Sequence, residues 1–248
     1  MVRFKTKVGT SMHRHYLQNK LQQYGEIWGQ LAKDQPWANP QLEIESRDRI
    51  SKFTGENEDC FERHCPTGHI TGSALITNLS MNRVLLTHHK KLNKWLQLGG
   101  HADGEWEIDQ VAMREAEEES GLPQLCFAKG QYLGLPDNPI PFDIDIHEIP
   151  ARKKAAAHFH YDIRFLIIAD DKIPVIISDE SNDLKWFDIE EARQLTDEWS
   201  MIRQFEKLDF LKSSMDGSNR QLNHDSLSNE ANKGGPGAIS TDSSLNKP

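Results

Sequence analysis

Four glutamates crowd the end of a stretch, Gly99 to Pro123, which reads GGHADGEWEIDQVAMREAEEESGLP and is predicted to open on a turn at Gly99-Gly100 and continue as helix. Ile108, Val111, Ala112 and Ala116 recur at helical spacing and give the segment one apolar face. Gly121-Leu122-Pro123 stops the helix, because glycine accepts the left-handed cap and proline cannot continue the turn. Glu115, Glu117, Glu118 and Glu119 therefore face the negative end of the helix dipole, at a cost of roughly 0.3–1 kcal/mol for each such contact. Glu115 and Glu119 are also like charges at i,i+4, a further small penalty. A local rule broken without visible compensation marks a candidate functional site, and here the compensation would be a divalent cation. Glu115, Glu118 and Glu119 lie at i, i+3 and i+4, so their oxygens converge on one side of the helix. Hard carboxylate donors suit Mg²⁺ or Mn²⁺, shared with a substrate phosphate. Arg114, four residues before Glu118, is placed to hold that carboxylate by a charge-assisted hydrogen bond.

The run Arg114-Glu115-Ala116-Glu117-Glu118-Glu119-Ser120-Gly121-Leu122 resembles the REUxEExGU half of the Nudix box at every defined position. Upstream the family pattern is G-x5-E-x7-R. Gly99 and Glu105 fit the first spacing, but eight residues separate Glu105 from Arg114. Counted back from the arginine, Gly100 fits and Trp106 stands at the glutamate position. Either the front of the helix carries one extra residue, or the first glutamate is lost and Glu105 or Glu107 replaces it. That glutamate is mostly structural in the family.

The resemblance covers roughly residues 68–212 and implies an α/β fold, an α/β/α sandwich with a mixed sheet. It implies an enzyme that hydrolyses a diphosphate bond within a nucleoside diphosphate linked to another group. Its cofactor would be Mg²⁺ or Mn²⁺, with Glu118 and Glu119 as the main ligands. Glu115 would bind metal or position the water, and the Gly99–Gly100 backbone would let metal and phosphate approach closely. Arg114 would orient carboxylates, so that Glu115, Arg114 and Glu118 form the catalytic set and Gly100 joins the metal site. A further glutamate often comes from beyond the box, and Glu148 and Glu180 are the candidates. Two other readings share the fold. One is a non-catalytic nucleotide sensor, which the intact Glu115, Glu118 and Glu119 disfavour. The other is an isopentenyl-diphosphate-isomerase-like enzyme, which LLTHHKK, GGHADGE and His69 loosely resemble. In that group a cysteine stands where this chain has Gly99.

Ahead of the box, residues 11 to about 33 read as an amphipathic helix with Tyr16, Leu17, Leu21, Tyr24, Ile27, Trp28 and Leu31 near one face. DQPWANP breaks it, and a shorter helix follows from Leu42 to Phe53. Residues 1–58 thus form a helical N-terminal extension, packed on the main domain or serving a homodimer. Cys60, His64, Cys65 and His69 invite a zinc reading, but the spacing holds no CxxC or HxxxH knuckle, so Cys60 and Phe61 are expected to pack inward. Strands are predicted at Ile70–Thr77, Arg83–Thr87, Trp95–Leu98, Gln131–Leu135, Asp143–Ile149 and His158–Ile168, with a short one at Trp186-Phe187. Helices are predicted at Ile189–Leu195 and Glu198–Leu211, closing a domain of residues 59–212. Residues 213–248 are rich in Ser, Asn, Gly and Asp and lack aromatics, which predicts a disordered tail.

On the His158 strand, His158, His160, Asp162 and Arg164 alternate with Phe159, Tyr161, Ile163 and Phe165, so the polar set shares one face. That face either meets solvent or brings His158, His160 or Arg164 to a substrate phosphate. His101 directly follows the glycine pair and is expected near the metal, as a ligand or phosphate contact. The formal net charge of -9 argues against a DNA-binding surface, and no apolar run is long enough to span a bilayer. Basic residues near the N-terminus are followed by no apolar stretch of signal-peptide type. Three cysteines make no disulfide framework, which fits a cytoplasmic protein.

Overall fold

The computed structural model describes residues 7–128, 138–152, 156–179 and 181–214. Two helices come first, α1 (Lys7–Leu31) and α2 (Pro40–Glu56). The start of α2 is fixed locally: Asn39 accepts the Leu42 N–H at 3.1 Å, and Pro40 takes the first helical position, where no backbone donor is needed. The sheet strands follow as β1 (Gly68–Asn78), β2 (Arg83–His89), β3 (Lys94–Leu96) and β4 (Leu98–His101). After the box helix, α3 (Ile108–Ser120), come β5 (Cys126–Phe127), β6 (Asp143–Ile149), β7 (His158–Ala169) and β8 (Ser181–Asp188). A short helix, α4 (Ile189–Gln194), leads to α5, residues 199–214. The expected strand at Gln131–Leu135 and residues 215–248 of the expected tail lie outside the described residues.

The sheet is mixed, ordered β3-β2-β1-β7-β5, with β4 and β6 pairing to β1 and β7 and β8 pairing to β2. β1 and β7 run parallel along their whole length, from Gly68↔Phe159 to Asn78↔Ala169. The other pairings are antiparallel. Both faces of β1 are covered, so all of its residues are buried. One face holds Ala74, Ile76, Leu85, Leu98 and Ile167 against Ala116 and Leu122 of the α3 region, an apolar core of ordinary kind. α3 approaches this face closely: a Cβ at Gly72 would press on the Ile108 carbonyl and on Val111.

One expectation is corrected here. Gly99 and Gly100 form no turn but lie within β4, paired to Ser73 and Gly72 of β1, and the turn comes afterwards at Asp103 and Gly104. The N-terminal helices are anchored on the body. The Tyr16 hydroxyl donates to Asp109 of α3 at 2.7 Å, Lys20 to the Pro139 carbonyl at 2.7 Å and the Trp28 indole to the Pro141 carbonyl at 3.3 Å. Leu17, Leu21, Tyr24 and Trp28 are buried as their spacing predicts, and Phe53 of α2 stacks on Tyr161 of β7 with centroids 3.9 Å apart. Cys60 and Phe61 pack inward as expected.

Candidate functional site

β4 delivers two consecutive residues to opposite faces of the sheet, as strand geometry requires. Gly100 faces α3, where a Cβ would overlap the Glu115 carboxyl group. Only glycine leaves room for that carboxylate against the strand. The Gly99 N–H donates to Glu119 Oε1 at 3.0 Å, so both ends of the carboxylate group are fixed against β4. Arg114 donates to Glu115 Oε1 at 2.9 Å and reaches the His101 carbonyl at 3.4 Å. The expected hold of Arg114 on Glu118 is therefore corrected. The guanidinium turns across the helix toward the strand, because β4 offers a carbonyl acceptor there. Glu118 lines the neighbouring cleft instead.

That cleft has a volume of about 650 Å³, enough for a small molecule, and its wall includes Arg63, Asp103, Glu105, Arg114, Glu115 and Glu118. Arg63 pairs with Asp103 across its mouth, and the hydrogen bond from Arg63 holds the Asp103 carboxyl below its usual range. Glu105 accepts the N–H groups of Trp106 and Glu107 at 3.0 and 3.2 Å, which ties down the segment that leads into α3. Trp106, standing where the family pattern has a glutamate, turns to α1 and stacks on His13 with centroids 4.7 Å apart. At the other end of α3, Gly121 takes the expected left-handed cap conformation, with φ at 63°.

The opposite face of the sheet is a polar column along β7. At its far end Arg164 is buried and pairs with Asp162 at 2.7 Å, Asp143 at 3.1 Å and Asp145 at 3.2 Å. Its Nη1 also donates to the Ser200 carbonyl at 3.1 Å. The candidate phosphate contact at Arg164 is corrected: the side chain is closed in beneath α5, its charge already balanced by carboxylates. Arg203 and Lys207 of α5 converge on the same Asp143 at 2.8 and 2.7 Å. Burial alone would push the Asp143 carboxyl up, but Arg203, Lys207 and Arg164 overcome it and hold it below the carboxylate range. In the middle of the column, Asp162 accepts from Thr71 at 2.8 Å and Ser73 at 2.7 Å.

At the near end the column becomes histidine. His69 of β1 pairs in register with His160 of β7, and His160 with His147 of β6. The His69 ring lies 5.0 Å from His101, 5.1 Å from His158 and 4.8 Å from His160, centroid to centroid. Of the predicted residues His101, His158 and His160, the structure brings all three together, and it adds His69 and His147. His69 is buried, and neither of its ring nitrogens has a hydrogen-bond partner among the described residues. A buried polar group left so costs about 1–3 kcal/mol. Burial first, then the neighbouring His101 and His158, pull the His69 pKa down to about 4. His160 is lowered by the same causes, burial first and then His101 and His147. His147 escaped the sequence reading because its role depends on register with β7; the alternation in Asp143–Ile149 was its only local trace.

Of the remaining candidates, Glu148 is exposed on β6, and Glu180 lies outside the described residues. No helix among the described residues is long and apolar enough to cross a membrane.

The NUDIX domain family model matches residues 69–208. A comparison with curated proteins gives no match. Among solved structures, a NUDIX-family hydrolase from Clostridium perfringens is 27% identical, with a TM-score of 0.43, over 58% of this chain and 97% of that one. The Ap4A hydrolase of C. elegans in a binary complex is 19% identical, TM-score 0.44, over 60% and 98%. The E. coli dihydroneopterin triphosphate pyrophosphohydrolase is 18% identical, TM-score 0.42, over 56% and 92%.

Proposed function

The chain belongs to the NUDIX domain family, is a Nudix-type pyrophosphohydrolase by that membership and its matching Arg114–Leu122 half of the box, and we propose that it acts on a nucleoside diphosphate linked to another moiety with Mg²⁺ or Mn²⁺ as cofactor. The observation that carries this reading is the seating of Glu115 against Gly100, with Glu118 in the cleft and Glu119 tied to Gly99. The donor set fits a hard cation: carboxylate oxygens, no sulfur, and a glycine cradle that any Cβ would fill. Glu115, Glu118 and Glu119 would hold it, with the Gly100 backbone beside them. Bound there, it would neutralise phosphate charge and favour ionisation of the attacking water.

The chain's own groups do the rest. Arg114 fixes the Glu115 carboxylate, and the neighbouring Arg63 gives the cleft a second cation for substrate phosphates. Water, positioned by Glu115, adds to one phosphorus and gives its proton to a carboxylate of the cleft, and the bridging oxygen leaves with the other product. Specificity comes from the walls of the cleft, whereas His101, His158 and His160, expected as substrate contacts, gather on the opposite face of the sheet. Three cysteines without disulfides fit the reducing cytoplasm.

A phosphate-release screen tests the reading. It covers nucleoside triphosphates, dinucleoside polyphosphates, ADP-ribose, NADH and sugar nucleotides, each with Mg²⁺, with Mn²⁺ and with EDTA. The expected result is EDTA-sensitive hydrolysis of one class. Silence across the panel, with a thermal shift for a nucleotide, would favour a sensor.

A further inference from the structure

We propose that His69, His158 and His160 form a second metal site, separate from the carboxylate box, that takes a borderline transition cation of the Zn²⁺ class. Each offers one ring nitrogen, and the three nitrogens lie within 4.8 Å of one another. Tetrahedral Zn²⁺ with Zn–N of about 2.0–2.1 Å brings its ligands closer than that. The half-exposed His158 and His160 have side-chain freedom to close the gap, while His69 stays fixed in the core. Their backbones already stand correctly, since His69 and His160 are register partners on adjacent parallel strands and His158 is the next residue on that face.

Three further observations point to a cation. His69 is 3% exposed and packed against three other imidazoles, and both its ring nitrogens lack a hydrogen-bond partner among the described residues. A core histidine kept for packing normally has one nitrogen satisfied. His158 Nδ1 lies 2.9 Å from the Ala156 carbonyl, the backbone contact that fixes a ligating imidazole's tautomer and frees Nε2. Beside the three, His147 Nδ1 lies 3.1 Å from Asp145, a carboxylate itself held by Arg164. His101 and His147 thus flank the site, their rings 5.1 and 5.3 Å from His160.

The donor types separate the two sites chemically. Imidazole prefers Zn²⁺, Co²⁺, Ni²⁺ or Cu²⁺ over Mg²⁺, whereas the box oxygens prefer the harder ion. Burial favours neutral rings, the form that ligates metal, and disfavours the cationic form that would grip phosphate unaided. Three protein ligands leave the fourth position to an oxygen, the arrangement of an open site. The two sites share β4: the Gly100 backbone faces the box and the His101 ring faces the imidazoles.

The proposal does not depend on hydrolase activity, and its test reads binding. The full chain is stripped of metal, saturated with Mg²⁺ to occupy the box, and titrated with Co²⁺ and Zn²⁺ by absorption spectroscopy and calorimetry. One equivalent of Co²⁺ with the intense visible bands of a four-coordinate nitrogen-rich site is expected, displaced by Zn²⁺. His158→Gln and His69→Gln should each lower Zn²⁺ affinity by at least about tenfold, while Glu118→Gln leaves it unchanged. Should buried His69→Gln fail to fold, as circular dichroism would show, the half-exposed His158→Gln and His160→Gln decide the matter. No stoichiometric Co²⁺ or Zn²⁺ binding in the wild type would overturn the site. Binding kept in the histidine variants but lost in Glu118→Gln would overturn it equally, by assigning the transition metal to the box.

Discussion

At Gly100, the absence of one methyl group decides whether the box can assemble. The Glu115 carboxyl occupies the space where a Cβ would stand, and the carboxyl is the far end of a flexible side chain. Gly100→Ala should therefore leave the fold intact and displace Glu115 instead. We expect kcat/KM to fall by about a hundredfold, the scale for misplacing a catalytic group by an ångström, with little change in Tm. Unchanged activity would show that Glu115 works from elsewhere. Residues of this kind were legible in the sequence because motif spacing records them. Others were not. The pairing of Arg114 with Glu115 depends on a β4 carbonyl that helix spacing does not contain. Arg164 was placed on the correct face of its strand by alternation, but alternation does not say what covers that face, and α5 covers it.

The helix α3 carries its electrostatic penalty at the scale of the element. Glu115, Glu118 and Glu119 sit at its C-terminal end without a basic residue in the last turn. In metal-free protein, Glu118→Gln should relieve part of that strain, by roughly 0.3–1 kcal/mol, and raise Tm by about 1–4 °C. Mg²⁺ should raise the Tm of the wild type and leave that of Glu118→Gln nearly unmoved, while turnover is lost. Thermal melts with and without Mg²⁺ check both halves, and a variant less stable than wild type without metal would refute the argument. The ends of α3 were readable from Gly121 and the apolar period, and so were the strands at β1, β2, β6 and β7. β4 was misread as a turn because two glycines speak for a turn locally, whereas pairing with β1 holds them extended. The histidine face was half legible for the same reason. His158 and His160 are neighbours on one strand, but His69 and His147 join them only through register across β1, β7 and β6.

Across the whole molecule, one buried carboxylate ties the layers together. Asp143 on β6 receives Arg164 from β7 and both Arg203 and Lys207 from α5. Lys207 also reaches Glu43 of α2 at 3.0 Å and the Tyr24 hydroxyl of α1 at 2.8 Å. The N-terminal helices, the sheet and the last helix therefore share a single charge network, built from residues far apart in the chain. Removing one member leaves its partners charged and unbalanced in the interior, so Asp143→Asn should destabilise the protein by about 3–5 kcal/mol at neutral pH. The pH dependence has a definite sign. The folded Asp143 carboxyl titrates below its unfolded value of about 3.9, so the unfolded chain binds the proton first as acid is added. The stability it contributes is complete above that value and is lost as pH falls toward the folded one. Urea melts should accordingly show wild type far ahead of Asp143→Asn at pH 7, with the gap narrowing below about pH 4 as Asp143 of the unfolded wild-type chain takes up its proton. A gap of constant size down to acid unfolding would mean that Asp143 acts by shape and not by charge.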